Sequence, residues 1–463
     1  MNKTSVRDII HATGGKLVKG SESGFITGVK HDSRDCGEGD MFVAIAGVNR
    51  DGHEYIPDVV AKGCMTFLVA HTDRWFEQVK KEDITVILAE DTVCAMGELA
   101  GWYLSTLDVR RVAVTGSVGK TSVRDMIYYV LSEKYTCGRN LKNFNNDIGL
   151  PISIFRFDDS TEAVVLEMGM DDFGEIRKLS RLVMPEVGVI TNIGMAHMEK
   201  LGSRQGIFEA KMEITENILP REEGGTLVYA RDDEFLGSEK TKGDYDEISV
   251  GKDGRSDYII SDVDDFGLEG IEFTLEYREE IRRIRIPVAG THNAINAGLA
   301  IAVGNALGVD IDTAAGGLAK ADLTGGRLHK VQGKTLTVID DTYNANPDSM
   351  ISALKVLEKS VCKGRKVAVL GDMFELGEDS DKLHYSVGLF ARGCGIDKLV
   401  AIGKSAAEIA RGAQGGRLEV HYFPTKEEYY EVMDQITGEG DVVLVKASRG
   451  MKMEDIVERE AEL

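Results

Sequence analysis

A glycine-rich stretch between an apolar run and a helical pattern constrains this sequence more than any other feature. Thr115-Gly116-Ser117-Val118-Gly119-Lys120-Thr121 follows the apolar residues 112–114 and precedes residues 122–133, which are expected to be helical. Strand, glycine turn and helix in this order form a phosphate-binding context, because backbone N–H groups and the helix N-terminus both attract the anion. Lys120 would reach the β- and γ-phosphates of a nucleotide, and the Thr121 hydroxyl would ligate Mg²⁺.

The loop departs from the common phosphate-binding pattern at its first position. The general pattern GxxxxGK[ST] has a glycine where this chain has Val114, and the first glycine here is Gly116. The alternative is a glycine-rich turn with an incidental lysine, which we disfavour because strand, loop and helix signals agree. We therefore predict a variant nucleotide-binding loop made of Gly116, Ser117, Val118, Gly119, Lys120 and Thr121.

The composition limits the classes of partner. Lysine and arginine total 55 and aspartate and glutamate total 77, so the net charge is −22, which argues against nucleic acid or an anionic membrane as a partner. The 6 cysteines form no CxxC pair, so we expect neither a metal–thiolate site nor a disulfide framework. The polar residues 1–19 lead us to expect no signal peptide, and no uncharged run approaches the ~20 residues that span a bilayer. We expect a cytoplasmic protein.

The chain length of 463 residues suggests about three domains of about 150 residues each. We predict a small α/β domain over residues 1–90, a central domain over 91–327 and a third α/β domain over 328–463. Residues 257–288 predict an antiparallel meander, and Gly325-Gly326-Arg327 predicts a hinge. The third domain alternates strand candidates with helix candidates in a doubly wound pattern, with strands at 336–339, 366–370, 398–402, 420–423 and 442–445 and helices at 348–359, 380–392, 404–412 and 425–436.

Two apolar runs of the central domain lead into residues that carry chemistry. Residues 163–166 end in Glu167, and residues 187–190 lead to His197. Unbroken apolar runs that alternate with helices predict a parallel sheet buried on both faces. Ligands of such sheets bind beyond the carboxyl ends of the strands. Glu167 and His197 are therefore expected at the same edge as the phosphate-binding loop, which is the main indication of an active site.

A lysine lies on the apolar side of the next predicted helix, residues 204–219. Lys211 follows Ile207 by four residues and precedes Ile214 by three, so it is expected to point inward with them. A lysine in such a position usually extends its amine to solvent or forms an ion pair. From the residues alone, that ordinary role is the preferred interpretation.

The motifs of this chain, taken in order, resemble those of the Mur ligases, which are ATP-dependent amide-forming enzymes of peptidoglycan precursor synthesis. The resemblance covers essentially the whole chain and implies a UDP-sugar-binding domain, a central ATPase-type domain and a C-terminal Rossmann-like domain. Within the family it is greatest to the ligase that joins D-alanyl-D-alanine to a UDP-N-acetylmuramoyl-tripeptide. It rests on His31–Arg34, Gly39–Ala44, Thr115–Thr121, Asn143–Pro151, Asn192–His197, Ala210–Ile214 and Asp341–Pro347.

The resemblance implies roles for the residues of the central domain. Lys120 and Thr121 would bind the ATP phosphates and a first Mg²⁺. Glu167 and His197 match ligands of a second Mg²⁺. Lys211 matches a lysine that is carbamoylated in the family, and the carbamate would help to hold that ion.

The resemblance also implies roles outside the loop. Asn296 would face the adenine, Arg327 would contact the γ-phosphate, and Asp341 would lie near the ribose and the metal. Ser33 and Arg34 fall in the UDP-binding motif. Lys120, Lys211, His197 and Arg327 are the expected catalytic set.

The implied reaction needs no nucleophile from the protein. A substrate carboxylate would attack the γ-phosphate to give an acyl phosphate, and the amine of the dipeptide would then displace phosphate. The protein has to supply charge neutralisation and alignment. The expected partners are UDP-MurNAc-tripeptide and D-alanyl-D-alanine, and the expected state is a monomer whose domains close over the substrates.

Three alternatives use the same loop. Another Mur ligase or a folylpolyglutamate synthase-like enzyme is the nearest, although the folate enzymes lack a separate UDP-binding domain before the loop. A GTPase switch would need an NKxD motif, which this sequence lacks. The third alternative is a non-catalytic nucleotide-binding scaffold. It would need few of the residues Lys120, Glu167, His197 and Lys211, so their presence together argues against it.

Overall fold

The computed structural model describes residues 1–47, 50–79, 83–141, 143–194, 198–237, 243–323 and 326–463. The chain divides into two compact units. The first unit consists mainly of Met1–Met195, Lys200–Ser249 and Ala302–Val309, and the second mainly of Val250–Ile301 and Asp310–Leu463. Both units combine helices with largely parallel sheets, which confirms the predicted class of fold. The division into three domains at residues 90 and 327 stays a prediction.

The N-terminal part of the first unit contains a five-stranded sheet. In spatial order its strands are Lys16–Lys19, Thr85–Leu88, Thr66–Val69, Asp40–Val43 and Gly28–Lys30. Only the first of these pairs antiparallel with its neighbour. A two-stranded sheet joins Thr4–Ser5 to Phe25–Ile26. The helices are Val6–Thr13, Ile56–Ala61, Arg74–Gln78 and Thr92–Ser105, with a 3₁₀ turn at Gly52–Tyr55.

Parallel strands form the centre of the first unit. Their spatial order is Thr226–Ala230, Val187–Ile190, Arg110–Thr115, Ala163–Glu167 and Cys137–Arg139. The middle strands are buried along almost their whole length, as expected for a sheet covered on both faces. The helices are Lys120–Leu131, Gly149–Ile154, Glu175–Val183, Met198–Leu201 and Arg204–Met212, with 3₁₀ turns at Glu213–Asn217 and Arg221–Glu223. The strand Asp246–Gly251 contains the boundary between the units.

The second unit begins with the predicted antiparallel meander. Its strands are Tyr258–Asp265, Ile271–Tyr277 and Glu280–Ile286, with a 3₁₀ turn at Gly267–Glu269. Tyr258 and Tyr277 are opposite each other in the first pair of strands, and their rings stack with centroids 4.1 Å apart. The helices Asn293–Ala306 and Ile311–Leu318 follow. The first helix begins in the second unit, and its residues from Ala302 onward belong to the first.

A six-stranded sheet forms the C-terminal part of the second unit. In spatial order its strands are His329–Gln332, Thr337–Asp341, Val442–Lys446, Lys366–Gly371, Lys398–Ile402 and Glu419–Phe423, and only the first is antiparallel. Three successive strands, from Lys366–Gly371 to Glu419–Phe423, run outward to one edge of the sheet. The last strand, Val442–Lys446, then returns to lie beside Thr337–Asp341, and this change of direction is what the predicted doubly wound pattern requires. The helices are Pro347–Lys359, Ser380–Gly393, Ala406–Ala413, Lys426–Tyr430, Met433–Ile436 and Glu454–Glu462, with 3₁₀ turns at Gly377–Asp379 and Arg449–Met451.

Two predicted helices are shorter than the sequence pattern indicates. The helix predicted over 204–219 ends at Met212 and tightens into a 3₁₀ turn, because the hydroxyl groups of Thr215 and Ser180 donate to the carbonyl oxygens of Met212 and Ile214. The helix predicted over 425–436 is interrupted at Val432, whose φ of −131° lies outside the helical region. None of the helices in the described ranges is both long and apolar enough to cross a membrane.

Candidate active site

The carboxyl ends of three central strands lie side by side. In the pairing register Glu167 is opposite Val114, and Ile190 is opposite Thr115. The phosphate-binding loop, Glu167 and the segment that begins at Thr191 therefore leave the sheet at one edge. This confirms the prediction for Glu167, whereas His197 lies outside the described residues.

The loop needs glycine at Gly116 and Gly119 because of its backbone geometry. Gly119 has φ of +84° and Gly116 has φ of +149°, both of which disfavour residues with a Cβ. A Cβ at Gly116 would also lie 1.9 Å from the hydroxyl oxygen of Thr191. The helix begins at Lys120, two residues before the predicted start. The loop thus runs directly into a helix N-terminus, where N–H groups are available to an anion.

Thr191 and Asn192 follow the strand Val187–Ile190 and hold the loop in place through hydrogen bonds. The backbone N–H of Val118 donates to Asn192 Oδ1 at 3.0 Å, and Asn192 Nδ2 donates to the Val118 carbonyl at 2.7 Å. The Thr191 hydroxyl donates to the same carbonyl at 2.6 Å, and Ser117 N–H donates to the Asn192 carbonyl at 3.0 Å. The sequence predicts no separate role for Asn192, although its place directly after a buried strand points to this edge.

Two side chains of the loop are set for a ligand. Lys120 Nζ folds over the loop and donates to the Gly116 carbonyl at 2.8 Å. Within the described part of the chain, the buried Ser117 hydroxyl has no hydrogen-bond partner. A cation and an unsatisfied hydroxyl beside a helix N-terminus form a site that suits phosphate oxygens.

Glu167 is 1% exposed and lies under the loop. The Thr121 hydroxyl donates to its Oε2 at 2.5 Å, Asn145 Nδ2 donates to its Oε1 at 2.8 Å, and Arg124 Nη1 lies 3.4 Å from Oε2. These contacts fix the carboxylate beside the Thr121 hydroxyl. Oxygen donors of this kind suit Mg²⁺, so Thr121 and Glu167 fit the ion that the sequence pattern implies.

A buried ion-pair chain continues from Glu167 to the edge of the sheet. Arg124 donates to Asp125 Oδ1 through Nε at 2.8 Å and Nη2 at 2.6 Å, and Arg139 Nη1 lies 2.8 Å from the same oxygen. The Arg139 guanidinium in turn lies 4.2 Å from the centroid of the Tyr128 ring. Arg124 is not among the site residues predicted from the sequence, and its position four residues after Lys120 on the same helix is the signal that could have found it.

Lys211 is buried, as its helical phase predicts, with 1% of its surface exposed. Burial lowers the pKa of its amine well below the ordinary value, and the positive charge of Lys120 lowers it further. Glu213, a neighbouring carboxylate that could pair with Lys211, instead accepts from the backbone N–H groups of Gly174 at 2.8 Å and Arg177 at 3.1 Å. The environment therefore favours a neutral amine at this edge of the sheet.

The C-terminal sheet has its own polar edge, formed where two neighbouring strands end. Asp341 and Lys446 are paired in register, and Asp341 Oδ2 lies 2.7 Å from Lys446 Nζ. Both side chains are buried. Leu328 N–H donates to the other Asp341 oxygen at 3.2 Å. Lys446 had no predicted role, although it ends a strand beside Asp341.

The two remaining residues of the predicted nucleotide site also belong to the second unit. The Arg327 guanidinium carbon lies 3.7 Å from the centroid of the Tyr343 ring. Asn296 is buried in the first turns of its helix, and its Nδ2 donates to Asn293 Oδ1 at 2.7 Å. Gly325 of the predicted hinge lies outside the described residues.

The predicted UDP-binding residues lie in an exposed turn of the N-terminal sheet. Arg34 donates to Asp32 through Nε at 2.9 Å and Nη2 at 2.5 Å, and Lys62 Nζ donates to the Ser33 carbonyl at 2.8 Å. The hydrogen bonds from Arg34 hold the pKa of the Asp32 carboxyl well below its usual range. An arginine held in this way presents a fixed cation at the surface.

Asp51, His53 and His71 bring three potential metal-ligand atoms within 4.8 Å of one another. His53 Nε2 accepts from the Ala70 N–H at 2.9 Å, so its proton is on Nδ1, where it donates to Asp51 Oδ1 at 2.5 Å. A metal on Nδ1 would require that proton on Nε2, against the Ala70 N–H. Burial lowers the pKa of His53. The cluster is therefore a structural hydrogen-bond group.

The fold and this edge define a class of protein. A glycine loop leads from a buried parallel strand into a helix, with a lysine over the loop and a threonine hydroxyl bonded to a buried carboxylate. These features are those of a phosphate-loop nucleotide-binding protein.

Comparison with known proteins gives the family. The Mur ligase family catalytic domain matches residues 25–103, the Mur ligase middle domain matches 114–304, and the Mur ligase glutamate ligase domain matches 326–449. The Bacillus subtilis (strain 168) UDP-N-acetylmuramoyl-tripeptide--D-alanyl-D-alanine ligase is 38% identical, over 99% of this chain and 98% of its own length. The chain therefore belongs to the Mur ligase family.

Solved structures agree with this family. Crystal structure II of MurF from Acinetobacter baumannii has a TM-score of 0.88 at 30% identity and covers 100% of this chain and 99% of its own. The MurF ligase of Thermotoga maritima in complex with ADP has a TM-score of 0.80 at 28% identity and covers 94% and 97%. The similarity extends over nearly the full length of each chain, the N-terminal sheet included.

Proposed function

We propose that this protein is an ATP-dependent ligase that joins D-alanyl-D-alanine to a UDP-N-acetylmuramoyl-tripeptide and releases ADP and phosphate. The observation that carries the proposal is the edge of the central sheet, where the phosphate-binding loop, Glu167 and a buried lysine meet in a Mur ligase. The B. subtilis relative with this activity matches essentially the whole chain. Because UDP-sugar precursors and ATP are cytoplasmic metabolites, we also propose a cytoplasmic location.

The residues of the first unit would hold the nucleotide phosphates. Gly116, Ser117, Val118 and Gly119 would line the phosphates, and the Ser117 hydroxyl would donate to one of them. Lys120 would exchange its contact with the Gly116 carbonyl for phosphate oxygens. Both nucleophiles come from the substrates, so the contribution of this edge is charge neutralisation and alignment.

Thr121 would hold a first magnesium ion and Glu167 a second, and bound magnesium neutralises charge on the phosphates. We propose two ions, with His197 as a further ligand of the second. The chain contributes oxygen donors whose positions are fixed in advance by Asn145 and Arg124. Fixed donors lower the reorganisation needed when charge develops on the phosphate.

We further propose that Lys211 carries a carbamate. Only a neutral amine reacts with CO₂, and burial with the nearby Lys120 charge favours that form. The reaction joins the amine nitrogen to the carbon of CO₂ and releases one proton, which gives an anionic oxygen donor. Such a donor suits magnesium better than an amine does.

Residues of the second unit and the N-terminal sheet would complete the substrate contacts. Asn296 would face the adenine, Asp341 would lie near the ribose, and Arg327 would contact the γ-phosphate. Ser33 and Arg34 would bind the UDP group of the acceptor. We propose that the protein acts as a monomer.

The test is product analysis. The protein is incubated with ATP, Mg²⁺, UDP-MurNAc-tripeptide and D-alanyl-D-alanine, and we expect a product whose mass equals the sum of the two substrates less one water. Omission of the dipeptide should leave phosphate release at background. ADP formation only with glutamate and a folate, or ATP hydrolysis that is indifferent to both substrates, would contradict the proposal.

A further inference from the structure

Arg327 lies in a short segment that is bonded on both sides to the turn after a neighbouring strand. The N–H of Tyr343 donates to the Gly326 carbonyl at 3.1 Å. One residue beyond Arg327, the N–H of Leu328 donates to Asp341 Oδ1 at 3.2 Å. The backbone on either side of the arginine is thus attached to the segment 341–343.

The side chain of Arg327 is attached to the same turn. Its guanidinium carbon lies 3.7 Å from the centroid of the Tyr343 ring, which is well within cation–π distance. A tyrosine ring carries no formal charge, so it holds the guanidinium without neutralising it as a carboxylate would. The cation therefore stays available to an anionic ligand.

The backbone conformation of this segment is unusual. Gly326 has φ of +68° and Leu328 has φ of +53°. A Cβ at Gly326 would lie 3.1 Å from Thr342 Oγ1 and 3.2 Å from Asp340 Oδ1, which explains the glycine. A leucine adopts a left-handed conformation only where the surroundings hold it, and such positions cluster at functional sites.

The turn that receives these contacts is itself fixed. Asp341 Oδ2 lies 2.7 Å from Lys446 Nζ, and the same amine donates to the Asn344 carbonyl at 2.8 Å. Asp341 and Lys446 end adjacent parallel strands in register. The segment 341–344 is thereby anchored to the sheet, and Arg327 is anchored to that segment.

We propose that Tyr343 is a positioning residue that, together with Asp341, holds Arg327 as a preformed site for the terminal phosphate of ATP. This rests on the proposed function, in which Arg327 contacts the γ-phosphate. An unattached arginine loses much side-chain freedom when it binds phosphate. Attachment to the Tyr343 ring removes that cost before the ligand arrives.

The proposal is tested by the preference of the full-length protein for triphosphate over diphosphate. Calorimetry with Mg²⁺ gives the affinities for a non-hydrolysable ATP analogue and for ADP, and their ratio isolates the terminal phosphate. We expect Tyr343→Leu to lower this ratio by about 2- to 30-fold, the range of cation–π contacts. Tyr343→Phe keeps the ring and should keep the ratio.

The chain offers a matched control in the same unit. The Arg459 guanidinium lies 4.1 Å from the centroid of the Tyr430 ring, in the helical layer near the C-terminus. Tyr430→Leu removes the same kind of contact and should leave the ratio unchanged. Thermal unfolding of both leucine variants shows whether each is folded before binding is compared.

A double substitution separates positioning from general damage. Arg327→Met should lower the ratio, and adding Tyr343→Leu to it should have no further effect. The positioning role is refuted if Tyr343→Leu leaves the ratio unchanged while Arg327→Met lowers it. It is also refuted if Tyr343→Leu weakens the binding of both nucleotides equally. Failure of the proposed function would be seen separately, as the absence of an amide product from the unaltered protein.

Discussion

Lys211 shows how burial alone can change the chemistry of a side chain. Its sequence position predicts only that it points inward, and the ordinary interpretation is an amine that reaches solvent or forms an ion pair. The structure leaves 1% of it exposed and gives Glu213 other partners. A buried ammonium ion is costly, so burial favours the neutral amine, which is the form that the proposed reaction with CO₂ requires.

The first prediction concerns this residue. Lys211→Ala should lower kcat by about 10- to 100-fold, because the alanine cannot supply the anionic donor. Added short-chain carboxylates should partly restore the rate. Phosphate release measures both effects, and the exposed Lys178 provides the control substitution Lys178→Ala.

A spectroscopic readout distinguishes a carbamate from an ordinary buried lysine. With ¹³C-labelled bicarbonate, the unaltered protein and Lys178→Ala should show a carbamate carbon signal that Lys211→Ala lacks. Near-normal turnover of Lys211→Ala, or the same signal in all three proteins, would refute the carbamate.

At the scale of elements, the turn between Arg110–Thr115 and Lys120–Leu131 depends on space as well as backbone freedom. Gly116 and Gly174 both have positive φ, of +149° and +82°. A Cβ at Gly116 would meet Thr191 at 1.9 Å, whereas a Cβ at Gly174 would meet nothing within 4 Å. Both positions therefore carry backbone strain, and only Gly116 adds a collision.

The second prediction uses that pair. Gly174→Ala should cost about 1–2 kcal/mol of unfolding free energy from backbone strain. Gly116→Ala should cost about 2–5 kcal/mol, because overpacking adds to the strain, and should also weaken ATP binding by displacing the loop. Denaturant unfolding and calorimetry measure the two effects. Equal losses in the two variants would show that collision with Thr191 does not matter.

Much of the fold and part of the site could be predicted from patterns that are local in sequence. The apolar runs, the glycine loop and the position of Glu167 at a strand end follow from periodicity and from the alignment of parallel strand ends. The meander between residues 257 and 288 is confirmed in the same way.

The rest depends on contacts between residues that are distant in sequence. The brace from Asn192 requires the register of two strands, and the Asp341–Lys446 pair joins residues 105 positions apart. The early end of the helix at Met212 depends on a hydroxyl group from Ser180 in another element. The short strands Cys137–Arg139 and His329–Gln332 carry too few residues for a periodic signal.

At the scale of the whole molecule, the proposed ATP contacts come from both units. Lys120 belongs to the first unit, and Arg327 and Asp341 belong to the second. A ligand with contacts on two units shifts a population of arrangements toward the one that allows both. Motions of this kind commonly accompany phosphoryl transfer.

The third prediction follows from that distribution. Small-angle scattering should show a smaller radius of gyration with Mg²⁺, a non-hydrolysable ATP analogue and UDP-MurNAc-tripeptide than without ligands. Arg327→Met, which lacks the contact in the second unit, should show a smaller change. An unchanged radius under saturating ligands would count against closure.

The return of the helix Asn293–Ala306 into the first unit has a consequence for biosynthesis. Residues 302–309 belong to that unit, where Lys134 Nζ donates to the Gly308 carbonyl at 2.8 Å and the Tyr135 hydroxyl donates to the Leu307 carbonyl at 2.7 Å. A nascent chain cannot make these contacts until Val250–Ile301 has also been translated. The meander of the second unit therefore emerges from the ribosome before the first unit can complete its contacts. The two units then fold over overlapping periods of synthesis and not one after the other.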